Sequence, residues 1–137
     1  MPELPEVETV RSGLEKYVVG KRITSVKQFH PRALRSDSIA TLRTFKDAKI
    51  KSIKRRGKFM WFVLDDDHAV VTHLGMSGQV LMQKPDAALE KHLRVRWTFA
   101  DGKRALHFVD QRTFGGMAIE PLVSIEHNES VPQSVVH

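Results

Sequence analysis

The first residues of the chain could carry out amine chemistry. The sequence begins Met1-Pro2-Glu3, and removal of the initiator methionine, which a small second residue normally allows, would leave Pro2 as the N-terminus. A free N-terminal amine has a pKa of about 7.7–8.0, against ~10.4 for lysine, so more of it is unprotonated at neutral pH. The secondary amine of proline condenses with an aldehyde-level carbon to an iminium, and Glu3 could move the protons. Taken alone, the pair is more typical of a helix start.

A second chemical signal is a basic cluster in the middle of the chain, whose net charge is +6. The segment 46–58 holds one acid, Asp47, and accounts for the whole net charge through Lys46, Lys49, Lys51, Lys54, Arg55, Arg56 and Lys58. Such a cluster is typical of proteins that bind a polyanion, because each phosphate contact releases counterions. A solvated basic face explains the charge equally well.

A few helices and strands must position these residues. Apolar spacing of three and four residues predicts a helix over Pro5–Val19 with an acidic first turn, and a shorter helix over Ser36–Phe45. Alternation and turn signals predict about eight strands: Ile23–Phe29, Lys49–Arg55, Phe59–Leu64, Ala69–Leu74, Gln79–Met82, Leu93–Phe99, Ala105–Val109 and Met117–Ile119. The pattern is that of a mainly β fold with flanking helices, a sandwich or barrel, of which we expect the β-sandwich with an N-terminal α-helix.

The sequence also argues against several classes of protein. The chain of 137 residues has no cysteine, which removes disulfides, thiolate zinc sites and cysteine nucleophiles. The acidic N-terminal segment is unlike a signal peptide, and the longest apolar run, Phe59–Leu64, is far too short to span a bilayer. Asp65-Asp66-Asp67 is typical of a turn, and neither a triphosphate-binding glycine loop nor a Ser-His-Asp pattern is present. We therefore expect one cytoplasmic domain without membrane association.

Four motifs, in order along the chain, carry a family resemblance. They are Pro2-Glu3-Leu4-Pro5-Glu6, Arg56-Gly57-Lys58, His73-Leu74-Gly75-Met76-Ser77-Gly78 and Asp110-Gln111-Arg112-Thr113-Phe114-Gly115. From Pro2 to about Leu122, the chain resembles the N-terminal domain of bacterial formamidopyrimidine-DNA glycosylases. The resemblance implies a base-excision repair enzyme that removes oxidised purines, such as 8-oxoguanine and formamidopyrimidines, from damaged double-stranded DNA and then cuts the strand as a lyase. Leu4 favours this branch, because the sister endonuclease VIII branch usually has glycine there.

The resemblance implies catalytic roles for four residues. Pro2 resembles the nucleophile that attacks C1′ and forms a Schiff base with the opened deoxyribose, from which β- and then δ-elimination cut both sides of the site. Glu3 resembles the acid/base that assists sugar opening, and Glu6 a supporting carboxylate. Lys58 resembles the lysine that holds the phosphate beside the lesion and aids catalysis.

The same resemblance implies a set of DNA contacts. His73 resembles a phosphate-contacting histidine, and Arg56 belongs to the basic motif beside Lys58. His92 and Arg94 lie where the family often has His-x-His, so a guanidinium replaces the second imidazole. A guanidinium can still contact phosphate, but it cannot take over roles specific to histidine.

Met76, Arg112 and Phe114 resemble the residues that enter the duplex when the damaged nucleotide is flipped out. Extrusion leaves a hole and an unpaired base, at a cost of a few kcal/mol. A flexible thioether can fill the gap, a guanidinium can hydrogen-bond the orphaned base, and an aromatic ring can open the stack. Nearby glycines predict that both segments are loops.

The resemblance divides the chain into a catalytic domain, 1–122, and a shortened linker, 123–137. In the family, the linker leads to a helix–two-turns–helix module and a zinc finger of four cysteines, so we expect no cofactor or metal in this chain, and a monomer. Two alternatives stay within DNA repair: a catalytically weak DNA-binding fragment, and an endonuclease VIII-type domain for oxidised pyrimidines. A third, a basic β-domain that binds RNA, explains the charge but not the Pro2-Glu3 pair.

Overall fold

The computed structural model describes residues 4–31, 33–36, 45–75, 77–111, 115–124 and 130–135. In chain order its elements are α1 (Leu4–Val18), β1 (Ile23–Gln28), β2 (Leu34–Ser36), β3 (Ile50–Arg56), β4 (Phe59–Leu64), β5 (His68–His73), β6 (Gly78–Gln83), β7 (Leu93–Phe99), β8 (Ala105–Asp110), β9 (Gly116–Ser124), β10 (Ser130–Pro132) and a 3-10 helix (Gln133–Val135).

The strands form two sheets. One is four-stranded, in the order β1-β7-β8-β6, and its neighbouring strands are antiparallel. The other is six-stranded, in the order β10-β9-β5-β4-β3, with β2 pairing parallel to β9. The predicted mainly β architecture with an N-terminal helix is confirmed.

The main core lies between the two sheets. Trp97 of β7 and Phe62 of β4 meet edge to face, with ring centroids 4.9 Å apart, and Phe45 meets Trp97 at 5.0 Å. All three side chains are fully buried. Aromatic pairs of this geometry stabilise the core beyond the free energy of apolar burial. Because such cores are closely packed, the two sheets are held rigidly against each other. The predicted alternation of β7 is confirmed: its buried residues are Leu93, Val95, Trp97 and Phe99.

Helix α1 lies along β3 and runs antiparallel to it. Val7, Leu14 and Val18 form its buried face, at the spacing that a helix requires. Near the C-terminal end of α1, the Gly20 N–H donates to the carbonyl of Ile50, the first residue of β3, at 2.8 Å. The start of α1 therefore points toward the end of β3.

The observed elements differ from the predicted ones in three ways. Ser36, the predicted cap of a second helix, instead ends β2, and most of that helix, residues 37–44, lies outside the described residues. The short strands β2 and β10 were not predicted, because three residues are too few to show alternation. Strand β9 is longer than the predicted Met117–Ile119. The prediction stopped short because Pro121 interrupts the apolar pattern.

The described part of the predicted linker packs on the sandwich. Strand β10 pairs with the end of β9, and Val131 and Val135 are buried against Trp61 on the outer face of the six-stranded sheet. This packing gives the sheet a second, smaller core. That the segment 123–137 leads to a further domain stays a prediction. Among the helices of the described ranges, none is long and apolar enough to cross a membrane.

Candidate functional site

Three connections cross between the sheets at the same end of the sandwich. Within the described ranges they link β1 to β2, β5 to β6 and β8 to β9. In the six-stranded sheet, Phe59, His73 and Gly116 lie side by side at this end. In the four-stranded sheet, Gly78 pairs with Asp110 there. We call this the crossover end, because it brings strand ends from both sheets together.

Lys58 and His73 lie at the crossover end of the six-stranded sheet. Lys58 is exposed at the turn between β3 and β4, where Gly57 has a φ of 60°, a conformation that favours glycine. The half-buried ring of His73 packs against Phe59, the residue after Lys58, with centroids 5.7 Å apart. The tight turn and the ring contact thus place an ammonium and an imidazole at one edge. Arg56, on the other side of the turn, is also exposed.

An ion-pair network fastens α1 to β3 near the same turn. The Glu8 carboxylate accepts hydrogen bonds from Arg11 Nη2 at 2.6 Å and from Arg55 Nε at 3.0 Å. Arg11 Nη1 also donates to the carbonyl of Ile53 at 3.3 Å. Hydrogen bonds from Arg11 and then Arg55 lower the pKa of Glu8 from 4.5 to about 2. The network therefore sets how far α1 extends along β3.

This register brings the start of α1 level with the Lys58 turn. From Glu8, four residues toward the N-terminus advance the helix by ~6 Å. From Arg55, two residues toward the C-terminus advance β3 by ~7 Å, to Gly57. Glu6, exposed in the first turn of α1, therefore lies at the same end of the molecule as Lys58.

His92 and Arg94 occupy the crossover end of the other sheet. Both are half-buried. The Arg94 Nε donates to the carbonyl of Asp110 at 2.9 Å, and the Asp110 N–H donates to the carbonyl of His92 at 3.0 Å. The Arg94 guanidinium is thus held over the end of β8. Its position allows a phosphate contact but not the acid–base chemistry of histidine.

A buried histidine fixes the loop that leads to His92. Nδ1 of His107 lies 2.7 Å from Glu90 Oε2, and Arg96 Nε donates to His107 Nε2 at 3.1 Å. Because Nε2 accepts, the proton of a neutral ring is on Nδ1 and is donated to Glu90. Burial raises the pKa of Glu90, but hydrogen bonds from His107, its own backbone and Gln83 outweigh burial and lower it. The loop is therefore tied to β8 from within the protein.

Part of the basic cluster serves the fold rather than a ligand. Arg55 is paired with Glu8 and is half-buried, whereas Lys51 and Lys54 are exposed on β3. Sequence analysis missed the network of Glu8, Arg11 and Arg55. The spacing of three residues between Glu8 and Arg11 was a signal that could have predicted their pair, but no local pattern links either residue to Arg55.

Several predicted site residues lie outside the described residues, so their roles stay predictions. These are Pro2, Glu3, Met76, Arg112 and Phe114. The described candidates, Glu6, Arg56, Lys58, His73, His92 and Arg94, are brought to one end of the sandwich. Among the residues that the structure describes, no group of three or more His, Asp or Glu side chains could hold a metal ion.

Comparison with known proteins gives this arrangement a family. The model of the formamidopyrimidine-DNA glycosylase N-terminal domain matches residues 1–117. The chain belongs to the formamidopyrimidine-DNA glycosylase family. It is 48% identical over 141 residues to the formamidopyrimidine-DNA glycosylase of Acidothermus cellulolyticus, and this match covers 100% of this chain and 48% of that protein. The corresponding protein of Rhodococcus jostii is 51% identical over 143 residues, with the same coverage.

Solved glycosylase structures share the fold. The Lactococcus lactis formamidopyrimidine-DNA glycosylase, bound non-covalently to DNA containing an abasic site, matches with a TM-score of 0.80 and 36% identity, over 88% of this chain and 45% of that chain. MutM in complex with DNA containing carbocyclic 8-oxoguanine also matches with a TM-score of 0.80 and 36% identity, over 88% of this chain and 44% of that chain. The chain spans about half the length of the relatives it matches.

Replacing Glu8 with Gln should lower the melting temperature of this domain at pH 7. The pKa of Glu8 is lowered to about 2, so its ion pairs stabilise the fold above pH 4.5 and are lost as the pH falls through 2. The effect is modest, because the Glu8 side chain is 43% exposed and solvent screens its pairs. Melting curves followed by circular dichroism between pH 7 and pH 2 would measure it.

The matched control is Glu15→Gln, because the hydrogen bond from Arg11 to Glu15 stays within the helix. It should shift the melting temperature less than Glu8→Gln. The difference in melting temperature between Glu8→Gln and the unmodified protein should disappear as the pH approaches 2. A difference of constant size at every pH would contradict the role of the network.

Proposed function

We propose that this chain is the catalytic domain of a DNA glycosylase with apurinic/apyrimidinic lyase activity. Its substrate would be damaged double-stranded DNA with oxidised purines, such as 8-oxoguanine and formamidopyrimidines, and its role would be base-excision repair. The observation that carries the proposal is the convergence of the start of α1, Lys58, His73, His92 and Arg94 at the crossover end. The family membership and the DNA-bound glycosylases of the same fold support it. A cytoplasmic, monomeric protein stays a prediction.

The proposed chemistry begins with Pro2, whose nitrogen becomes the N-terminal amine once Met1 is removed. The nitrogen forms a bond to C1′ of the damaged nucleotide, and the bond from C1′ to the base breaks as the base leaves with a proton. Opening of the sugar, with a proton delivered by Glu3, gives the iminium. Loss of a proton from C2′ then expels the 3′ phosphate, and loss of one from C4′ expels the 5′ phosphate. Hydrolysis of the iminium returns the free amine.

The crossover end suits a nucleotide held by its phosphates. Lys58 and His73 belong to one sheet, and His92 and Arg94 belong to the other, so cations stand on both sides of the crossovers. Phosphate contacts of this kind fix the position of the backbone without reading the sequence. The loops between them contain Met76, Arg112 and Phe114, the residues proposed to enter the duplex. Rigid strand ends would thus hold the backbone while the loops fill the space of the extruded base.

Borohydride trapping on an oligonucleotide with a pre-formed abasic site tests the proposed chemistry. Protein with a free Pro2 should form a covalent adduct, because borohydride reduces the iminium to a stable amine. Protein that retains Met1 should form far less, since its proline nitrogen is part of a peptide bond and its free amine is displaced by one residue. Pro2→Gly should keep some trapping, because a primary amine remains. Equal trapping with and without Met1 would exclude Pro2 as the nucleophile.

Lys58→Ala should slow turnover of bound abasic DNA by on the order of 100-fold, because it removes a preorganised cation from the reacting nucleotide. It should also weaken binding. The matched control is Lys51→Ala, an exposed lysine of β3, which should only weaken binding and reduce the dependence of log K on log salt by about one unit. Single-turnover kinetics at saturating protein separate the two effects. Normal bound-state turnover of Lys58→Ala would make Lys58 a backbone contact only.

A further inference from the structure

Asp110 is a buried carboxylate that binds two of the three crossovers at once. It is the last residue of β8 and is 0% exposed. Its Oδ1 accepts a hydrogen bond from the Ser77 hydroxyl at 2.6 Å, and its Oδ2 accepts one from the Gly115 N–H at 2.7 Å. Ser77 belongs to the crossover from β5 to β6, and Gly115 to the crossover from β8 to β9. One side chain therefore links two segments that are distant in sequence.

The backbone of Asp110 is itself anchored to β7. Its N–H donates to His92, and its carbonyl accepts from Arg94. The carboxylate therefore starts from a fixed point on the four-stranded sheet rather than from a mobile loop. Ser77 and Gly115 are positioned by the sheet through Asp110.

The two crossovers also pack closely, backbone against backbone. A Cβ atom on Gly115 would lie 2.5 Å from the carbonyl oxygen of His73 and 2.9 Å from that of Leu74. Only glycine fits such a contact. Gly115 is therefore in close backbone contact with the end of β5.

These contacts are strong because of their chemistry and burial. Hydrogen bonds to an ionised carboxylate are shorter and stronger than neutral ones, and the distances of 2.6 and 2.7 Å are in that range. A buried carboxylate that loses a donor is costly, because water cannot replace the lost contact. Opening either crossover would thus remove one of these two buried hydrogen bonds from the Asp110 carboxylate.

We propose that Asp110 is a positioning residue: by binding Ser77, which follows Met76, and Gly115, which follows Phe114, it holds together the two crossovers that carry the inserting residues. The three inserting residues then enter the duplex together, without each loop being ordered separately upon binding. Asp110 acts through Ser77 and Gly115. The inference rests on the proposed function, since it assigns a cause to the insertion step.

Ser77→Ala tests the inference, because it removes the hydroxyl that forms one arm of the link and keeps the backbone and the Cβ atom of the segment. Insertion is measured by the fluorescence of 2-aminopurine placed beside an abasic site in duplex DNA, at saturating protein, since the fluorescence rises when the probe is unstacked. We expect the insertion equilibrium to weaken on the order of tenfold. Borohydride trapping on single-stranded abasic DNA, which requires no insertion, should stay within about twofold of the unmodified protein.

Three further variants complete the test. Asp110→Ala should weaken the insertion equilibrium more than Ser77→Ala does. Asp110→Asn should retain most of the insertion, because the amide oxygen can accept from Gly115 while the amide nitrogen donates to Ser77. Ser25→Ala is the matched control. It removes a serine hydroxyl of β1 that hydrogen-bonds Thr98 of β7, and it should change neither the fluorescence nor the trapping.

The outcomes separate this inference from the proposed function. If the unmodified protein forms no adduct on abasic DNA, the proposed function fails. If it forms one, but Ser77→Ala inserts as well as the unmodified protein, or trapping and insertion fall in parallel, the positioning role of Asp110 is wrong. Should Asp110→Ala fail to fold, Ser77→Ala and Asp110→Asn still decide between these results.

Discussion

The chain changes sheets at one end of the sandwich, and this constraint determines where its candidate functional residues lie. Each crossover leaves from a strand end, so residues that begin or end strands in different sheets become neighbours. Lys58 and His73 come from one sheet, and His92 and Arg94 from the other. Behind them, Trp97 and Phe62 pack the sheets together. A packed core of this kind resists sliding of one sheet over the other, so the distances across the end are kept.

Two sets of polar contacts fix the positions of particular elements at the crossover end. Glu8 and Arg55 fix how far α1 advances along β3, and Asp110 joins two crossovers to β7. Both contacts use charged groups whose partners are far away in sequence. The basic cluster is therefore not uniform: some of its charge holds the helix, and the rest faces solvent. Net charge alone overstates how many cations are available to a polyanion.

The sequence was sufficient for the repetitive parts of the fold and for the family. Alternation in β7 and the helical spacing of α1 predict elements that the structure confirms, because burial on one face imposes a period. It was insufficient for β10, which depends on a partner strand and on Trp61 rather than on its own pattern. It was also insufficient for Glu8–Arg55 and for Ser77–Asp110, since such pairs exist only once the chain has folded. Motifs identify which residues meet at the crossover end, but not the contacts that hold them there.

The central proposal is that the chemistry begins at the nitrogen of Pro2. Mass spectrometric mapping of the adduct trapped by borohydride on abasic DNA measures this directly. The account predicts that the sugar remnant is attached to the N-terminal peptide, at the nitrogen of Pro2. Attachment to the Lys58 side chain, or to another lysine of the basic cluster, would contradict it.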